Sequence, residues 1–231
     1  MKDFSNIEVF KQGGRILRKY YKELTLAFLA YVLVTFLPKL ILSPETAFVE
    51  QSIPVTLALF LFTVFISFLG LIVQVGVIKN VIDAAGEIKP NLRDLYLNYR
   101  RVPSYLLTSF VASLISLIGL FLLIVPFFFL TARYQFSLFY VIEKKVGMAE
   151  ALYLSDKMTR GSIWKIVKFD LFLIFINILP FLPMLIARIL GAQPPLSYLF
   201  GLFALFVLFT ASVSFISLTV LYKKFNISPK A

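Results

Sequence analysis

The 231-residue chain contains no cysteine and no histidine. Without cysteine there is no disulfide framework, thiolate zinc site or sulfur nucleophile. Without histidine there is no Ser-His-Asp catalysis, no imidazole-ligated metal and no ordinary switch near neutral pH. Carboxylates are also few, and Glu45, Glu50, Glu87 and Glu143 are scattered rather than paired for acid–base work. No glycine-rich Lys-Ser/Thr phosphate loop is present. The expectation is a non-enzymatic protein with no cofactor and no metal.

What is abundant is apolar surface: 60% of the residues are hydrophobic and 26 are Phe. The excess lies in long runs that no soluble core of this size could hide. A bilayer core about 30 Å thick takes roughly 20 apolar residues per helix. On that basis the sequence predicts an all-α, polytopic membrane helical bundle with six transmembrane helices at about 25–43, 55–78, 105–123, 126–142, 166–186 and 198–221. The run from Tyr105 to Ile142 is too long for one span, and Pro126 breaks it, because proline disfavours helix in the residue before it.

The net charge of +11 does not mark a nucleic-acid binder, since the basic residues flank apolar runs instead of forming one folded face. Of the 23 Lys and Arg, 20 fall in residues 1–23, 79–104, 143–168 and the tail after Leu221. By the positive-inside rule these segments are cytoplasmic and both termini face the cytoplasm. Lys39 and Arg188 sit near outer helix ends where long side chains snorkel. The charged N-terminus has no small-residue cleavage site after its first apolar run, so the first helix is expected to be an uncleaved span. These features predict the cytoplasmic membrane of a prokaryote.

Three cytoplasmic segments, about 5–22, 91–101 and 147–160, read as amphipathic interfacial helices. In the first, Ile7, Phe10, Gly14, Leu17, Tyr21 and Leu24 define the apolar face. In the second, Pro90-Asn91 and Asp94 form a cap before Leu92, Leu95, Tyr96 and Tyr99. In the third, Met148, Ala151, Leu152 and Ser155 lie opposite Glu150, Asp156 and Lys157. Leu95-Tyr96-Leu97-Asn98 and Leu152-Tyr153-Leu154-Ser155 fall at similar places, which suggests three tandem units of one interfacial helix and one hairpin.

Ionisable groups at membrane depth cost on the order of 3 kcal/mol each and are the best functional pointers. Arg133 is expected near the midplane of the fourth helix and Asp170 within the fifth. They are expected either to approach each other or to leave Arg133 free to hold an anionic group such as a lipid phosphate. Gln135, Gln74 and Asn177 would line the same polar region. The alternative reading is a structural ion pair that fixes helix packing. Pro180 and Pro183 interrupt the fifth helix, a pattern shared by kinks and by transport sites.

The stretch from Pro126 through Arg133, Glu150-Ala151-Leu152, Ser155 and Gly161 resembles the YciC-like group of six-pass membrane proteins. That group is related to the membrane domain of some glycerophosphodiester phosphodiesterases. The resemblance implies a membrane module only, because those enzymes carry catalysis in a separate barrel with histidine, and no catalytic residue transfers. The leading expectation is lipid or protein-partner interaction in membrane organisation; the alternative is a transporter or permease component moving a small solute or lipid.

Overall fold

A helix that exposes Val, Leu and Phe on every side has no stable place in water, since leaving each such side chain solvated forfeits about 1.5–3 kcal/mol. The computed structural model describes residues 4–41, 53–182, 189 and 196–227, and these are helical with no strand among them. The elements are α1 (Asn6–Lys19), α2 (Tyr21–Ile41), α3 (Ile53–Ala85), α4 (Asp94–Leu97), α5 (Val102–Leu122), α6 (Ile124–Tyr134), α7 (Ser137–Glu143), α8 (Met148–Thr159), α9 (Ile163–Ile178) and α10 (Leu196–Ile227), with 3-10 turns at Tyr99–Arg101 and Leu179–Phe181.

Four stretches are long and apolar enough to cross a membrane: Pro54–Ala85, Asp94–Leu122, Ile124–Glu143 and Phe206–Asn226. The expected first and fifth spans correspond to α2 and α9, but residues 42–43 and 183–186, with Pro183 and Arg188, lie outside the described residues. α3 runs seven residues past the expected end at Ile78, because a helix stops where its backbone turns and not where the apolar run ends. Its stop is Gly86, followed by Glu87 at φ 62°. The i,i+4 pair Lys79–Asp83 supports that polar extension.

The break near Pro126 falls at Leu123, which is fully extended at φ 176°, and α6 starts one residue later. Pro126 sits in the first turn of α6, where its missing N–H has no intrahelical partner to lose. The two helices close on each other at Gly119, where a Cβ would come within 3.0 Å of Phe127 Cα. The hairpin tip is bare: Phe121 is 84% and Leu123 71% exposed. The N-terminal half of α3 is equally bare, with Val55, Phe60, Leu61 and Phe65 exposed.

These two bare surfaces lie at opposite ends of the molecule. Phe129 packs edge-on against Trp164, and Gln135 bonds Asp170, at one constant separation of 35 residues, so α6 and α9 run in the same direction. Asn177 meets Ser214, and Phe4 packs edge-on against both Phe169 and Phe225, so α9 runs antiparallel to α10, whose Lys223 reaches Gly86 at the far end of α3. Strict alternation of six spans would make the fourth and fifth helices antiparallel. Here the α5–α6 tip lies at the end where α9 begins, away from the start of α3.

The expected amphipathic faces need two corrections. On α1 the buried stripe is Val9, Gly13 and Leu17, while Ile7 is exposed and Gly14 faces open space. The reason is a close crossing: a Cβ at Gly13 would lie 2.2 Å from Ser217 Oγ and 3.1 Å from the Val213 carbonyl of α10. The second segment is a single helical turn followed by a 3-10 turn, with Tyr96 and Tyr99 exposed and the Asp94–Leu95 backbone pressed onto α3 at Gly76. The three segments therefore differ in length, from this single turn to 14 residues in α1 and 12 in α8.

The core gathers around Tyr222, which is fully buried and stacks with Phe136 and Phe139 while Tyr140 meets it edge-on. Each such aromatic pair adds about 0.5–1.5 kcal/mol beyond area burial. The α1–α10 crossing gives a direct test. Gly13→Ala should destabilise the protein in detergent by about 1–3 kcal/mol through overpacking, whereas Gly14→Ala should be neutral or stabilise by up to about 1 kcal/mol. Thermal unfolding of the two variants checks both signs.

Candidate functional site

Taking a charge out of water requires a partner, and the distribution of partners defines the polar centre of this fold. Arg133 stands in the last turn of α6, where its Nε donates to Asp156 Oδ1 on α8. Asp156 Oδ2 also accepts from Arg160 Nη2 at 2.7 Å. The Arg133 backbone carbonyl accepts Ser155 Oγ at 2.8 Å and Thr159 Oγ1 at 3.4 Å. α8 is thus latched to the end of α6 by one side chain and one carbonyl.

Both expectations for Arg133 change. Its partner is Asp156, not Asp170, because α8 packs against α5, α6 and α7 and brings Asp156 to it. The helical periodicity places Asp156 on the face opposite Ala151 and Ser155. It is buried alongside both, because α8 is covered on two sides. The Asp156 carboxyl is held below its ordinary 3.8 by the Arg133 hydrogen bond, against the opposing effect of burial and with further help from Arg160. The trio carries a net charge of +1, and Arg160 is its exposed member at 72% against 13% for Asp156.

Asp170 is half-buried on α9 and accepts Gln135 Nε2 at 3.0 and 3.3 Å. Gln135 is placed for this by the break between α6 and α7. Asn177 donates to Ser214 Oγ and to the Leu173 carbonyl, both at 2.8 Å, and so ties α9 to α10. Gln74 on α3 joins neither pair. The five residues expected to share one polar region therefore divide: Arg133 in one cluster, Gln135 with Asp170 in a second, Asn177 at a helix contact and Gln74 apart.

Sequence reading missed a further ion pair. Glu143 at the end of α7 accepts from Lys223 Nζ and from the Tyr222 hydroxyl, which fastens α7 to α10. The available signal was faint: Glu143 is one carboxylate beside Lys144 and Lys145. For Asp156, the i,i+4 spacing to Arg160 was legible, but not the contact across 23 residues to Arg133. Asn80 Oδ1, buried on α3, accepts the Asn91 backbone N–H at 3.0 Å and pins the loop after α3. Among the described residues no group of three or more His, Cys, Asp or Glu is placed to hold a metal.

The class defined by these features is an all-helical, multi-pass membrane protein with paired charges at its helix junctions. No protein-family model, curated protein or solved structure matches the chain.

The latch is testable through pH. Asp156 has a lowered folded pKa, so its contribution is fully present above 3.8 and is lost as the pH falls through the folded value. Asp156→Asn should cost about 1–2 kcal/mol near neutral pH, reduced from a fully buried pair because Arg133 is partly exposed. The gap between wild type and variant should close below pH 3.8; unfolding curves in detergent at both ends of that window measure it.

Proposed function

We propose that this chain is a non-enzymatic integral protein of a prokaryotic cytoplasmic membrane that binds lipid and thereby serves membrane organisation or homeostasis. The observation that carries this reading is the Arg133–Asp156–Arg160 trio, which leaves a net positive charge and an exposed guanidinium at the boundary of bare apolar helices. An anionic headgroup supplies the missing charge, and acyl chains cover the apolar flanks. The clustering of Lys and Arg fits both termini on the cytoplasmic side, while the shared direction of α6 and α9 departs from six strictly alternating transmembrane helices. A relationship to the YciC-like proteins is part of this reading. It draws on the structural roles of the shared residues: Pro126 lies in the first turn of α6, Ser155 bonds the Arg133 carbonyl, and Gly161 takes φ 84° between α8 and α9.

The second reading, a transporter or permease component, draws support from the 3-10 turn at Leu179–Phe181, where Pro180 ends α9. It is the weaker one, because Asn177 is committed to Ser214, and Arg133 and Asp170 belong to separate pairs instead of lining one path. Native mass spectrometry of protein extracted gently from its own membrane tests the leading reading. Retained anionic lipid is the expected result. A lipid-free chain bound to another subunit would overturn it and make the protein an accessory chain.

A further inference from the structure

Two contacts lie side by side where α6 meets the chain around α8 and the start of α9. One is charged: Arg133 Nε and Arg160 Nη2 occupy the two oxygens of the single Asp156 carboxylate. The other is aromatic: Phe129 of α6 meets Trp164, in the first turn of α9, edge-on at 4.4 Å. Phe129 and Arg133 stand one turn apart on the same face of α6, about 6 Å along the axis at 1.5 Å per residue.

Both arginines have donors to spare. A guanidinium carries five N–H groups in a planar fork, and among the described residues neither fork has a hydrogen-bond acceptor other than Asp156. Both also reach the surface, since 38% of the Arg133 side chain is exposed beside the more exposed Arg160, whereas Asp156 is buried beneath them. Trp164 is exposed as well. With both carboxylate oxygens spent, the trio keeps its net charge of +1. A phosphodiester matches what is left: it brings one negative charge and two unesterified oxygens, and each oxygen accepts from a planar fork. An apolar body on the same molecule finds the Trp164–Phe129 pair one turn away.

We propose, resting on the lipid-binding reading above, that Arg133 and Arg160 clamp one phosphodiester group between their forks, that Asp156 sets the spacing of the two, and that Trp164 with Phe129 packs against the apolar part of the same molecule. The ligand class is an anionic phospholipid.

The test titrates the full chain, stripped of lipid in mild detergent, with phosphatidylglycerol or phosphatidylcholine and counts bound lipid by native mass spectrometry. Wild type should bind phosphatidylglycerol about tenfold more tightly than phosphatidylcholine, whose headgroup ammonium cancels the phosphate charge. Arg160→Gln should abolish that preference while Arg133 keeps Asp156 paired and the protein folded. Arg160→Lys, which keeps the charge and loses the fork, should restore it only in part. Trp164→Ala, at an exposed position, should weaken both lipids about three- to tenfold. Glycerophosphoglycerol, the same headgroup without acyl chains, should not displace the lipid at millimolar concentration; displacement would assign the clamp to a free phosphate ester and overturn the aromatic half of the site. Full restoration by Arg160→Lys would overturn the shared fork. Equal affinity of wild type for the two lipids, or a preference unchanged in Arg160→Gln, would overturn the site and leave general lipid binding intact. No lipid bound by wild type would overturn both readings.

Discussion

Arg133 with Asp156 and Glu143 with Lys223 leave water as pairs of opposite charge, and those pairs organise the junctions between helices. Arg133 with Asp156 joins α6 to α8, and Glu143 with Lys223 and Tyr222 joins α7 to α10, while Lys79 with Asp83 pairs within the last turns of α3. Breaking one member of such a pair costs more than the pair contributes, because a desolvated charge is left alone. The pairs therefore fix which helix end meets which more firmly than the apolar contacts do, since Leu against Leu is non-directional. Lys223 reaching both Glu143 and Gly86 places α7, α10 and the end of α3 together.

The pairing also explains why α8 is not a surface anchor of the simple kind. A helix that only lay on lipid headgroups would keep its polar face in water. α8 buries Ser155, Asp156 and Thr159 as well as Ala151 and Met158, and its hydroxyls are aimed at one carbonyl on α6. What it offers outward is Arg160, exposed while it shares Asp156 with Arg133. The same short helix thus holds the fold together on one side and presents the Arg160 guanidinium on the other.

Much of the helical layout was legible because apolar length is a coarse and robust signal. The run from Tyr105 to Ile142 had to break, and the break falls within three residues of Pro126. The third amphipathic segment, read at 147–160, is the helix Met148–Thr159. What could not be read depends on contacts between distant residues. Gly13 carries no hydrophobicity, so its role as the point of closest approach to Ser217 shifted the buried stripe of α1 away from Ile7 and Gly14. Arg133 had two carboxylates within sequence reach, and only the packing of α8 selects Asp156 over Asp170. The direction of the α5–α6 hairpin is likewise invisible to hydropathy, which is the same for a helix and its reverse.

That direction is the feature on which the arrangement of the two bare apolar ends depends. The chain has no native cysteine, so a pair introduced at Val55 and Leu123 carries two spin labels and no others. α3 alone places Val55 about 45 Å from its own end at 1.5 Å per residue, and the hairpin tip lies at or beyond that end. Double electron–electron resonance on the labelled protein in nanodiscs should give a distance beyond about 45 Å. A distance under about 30 Å, the thickness scale of a bilayer core, would put both hairpin tips on one face and contradict the parallel packing of α6 and α9.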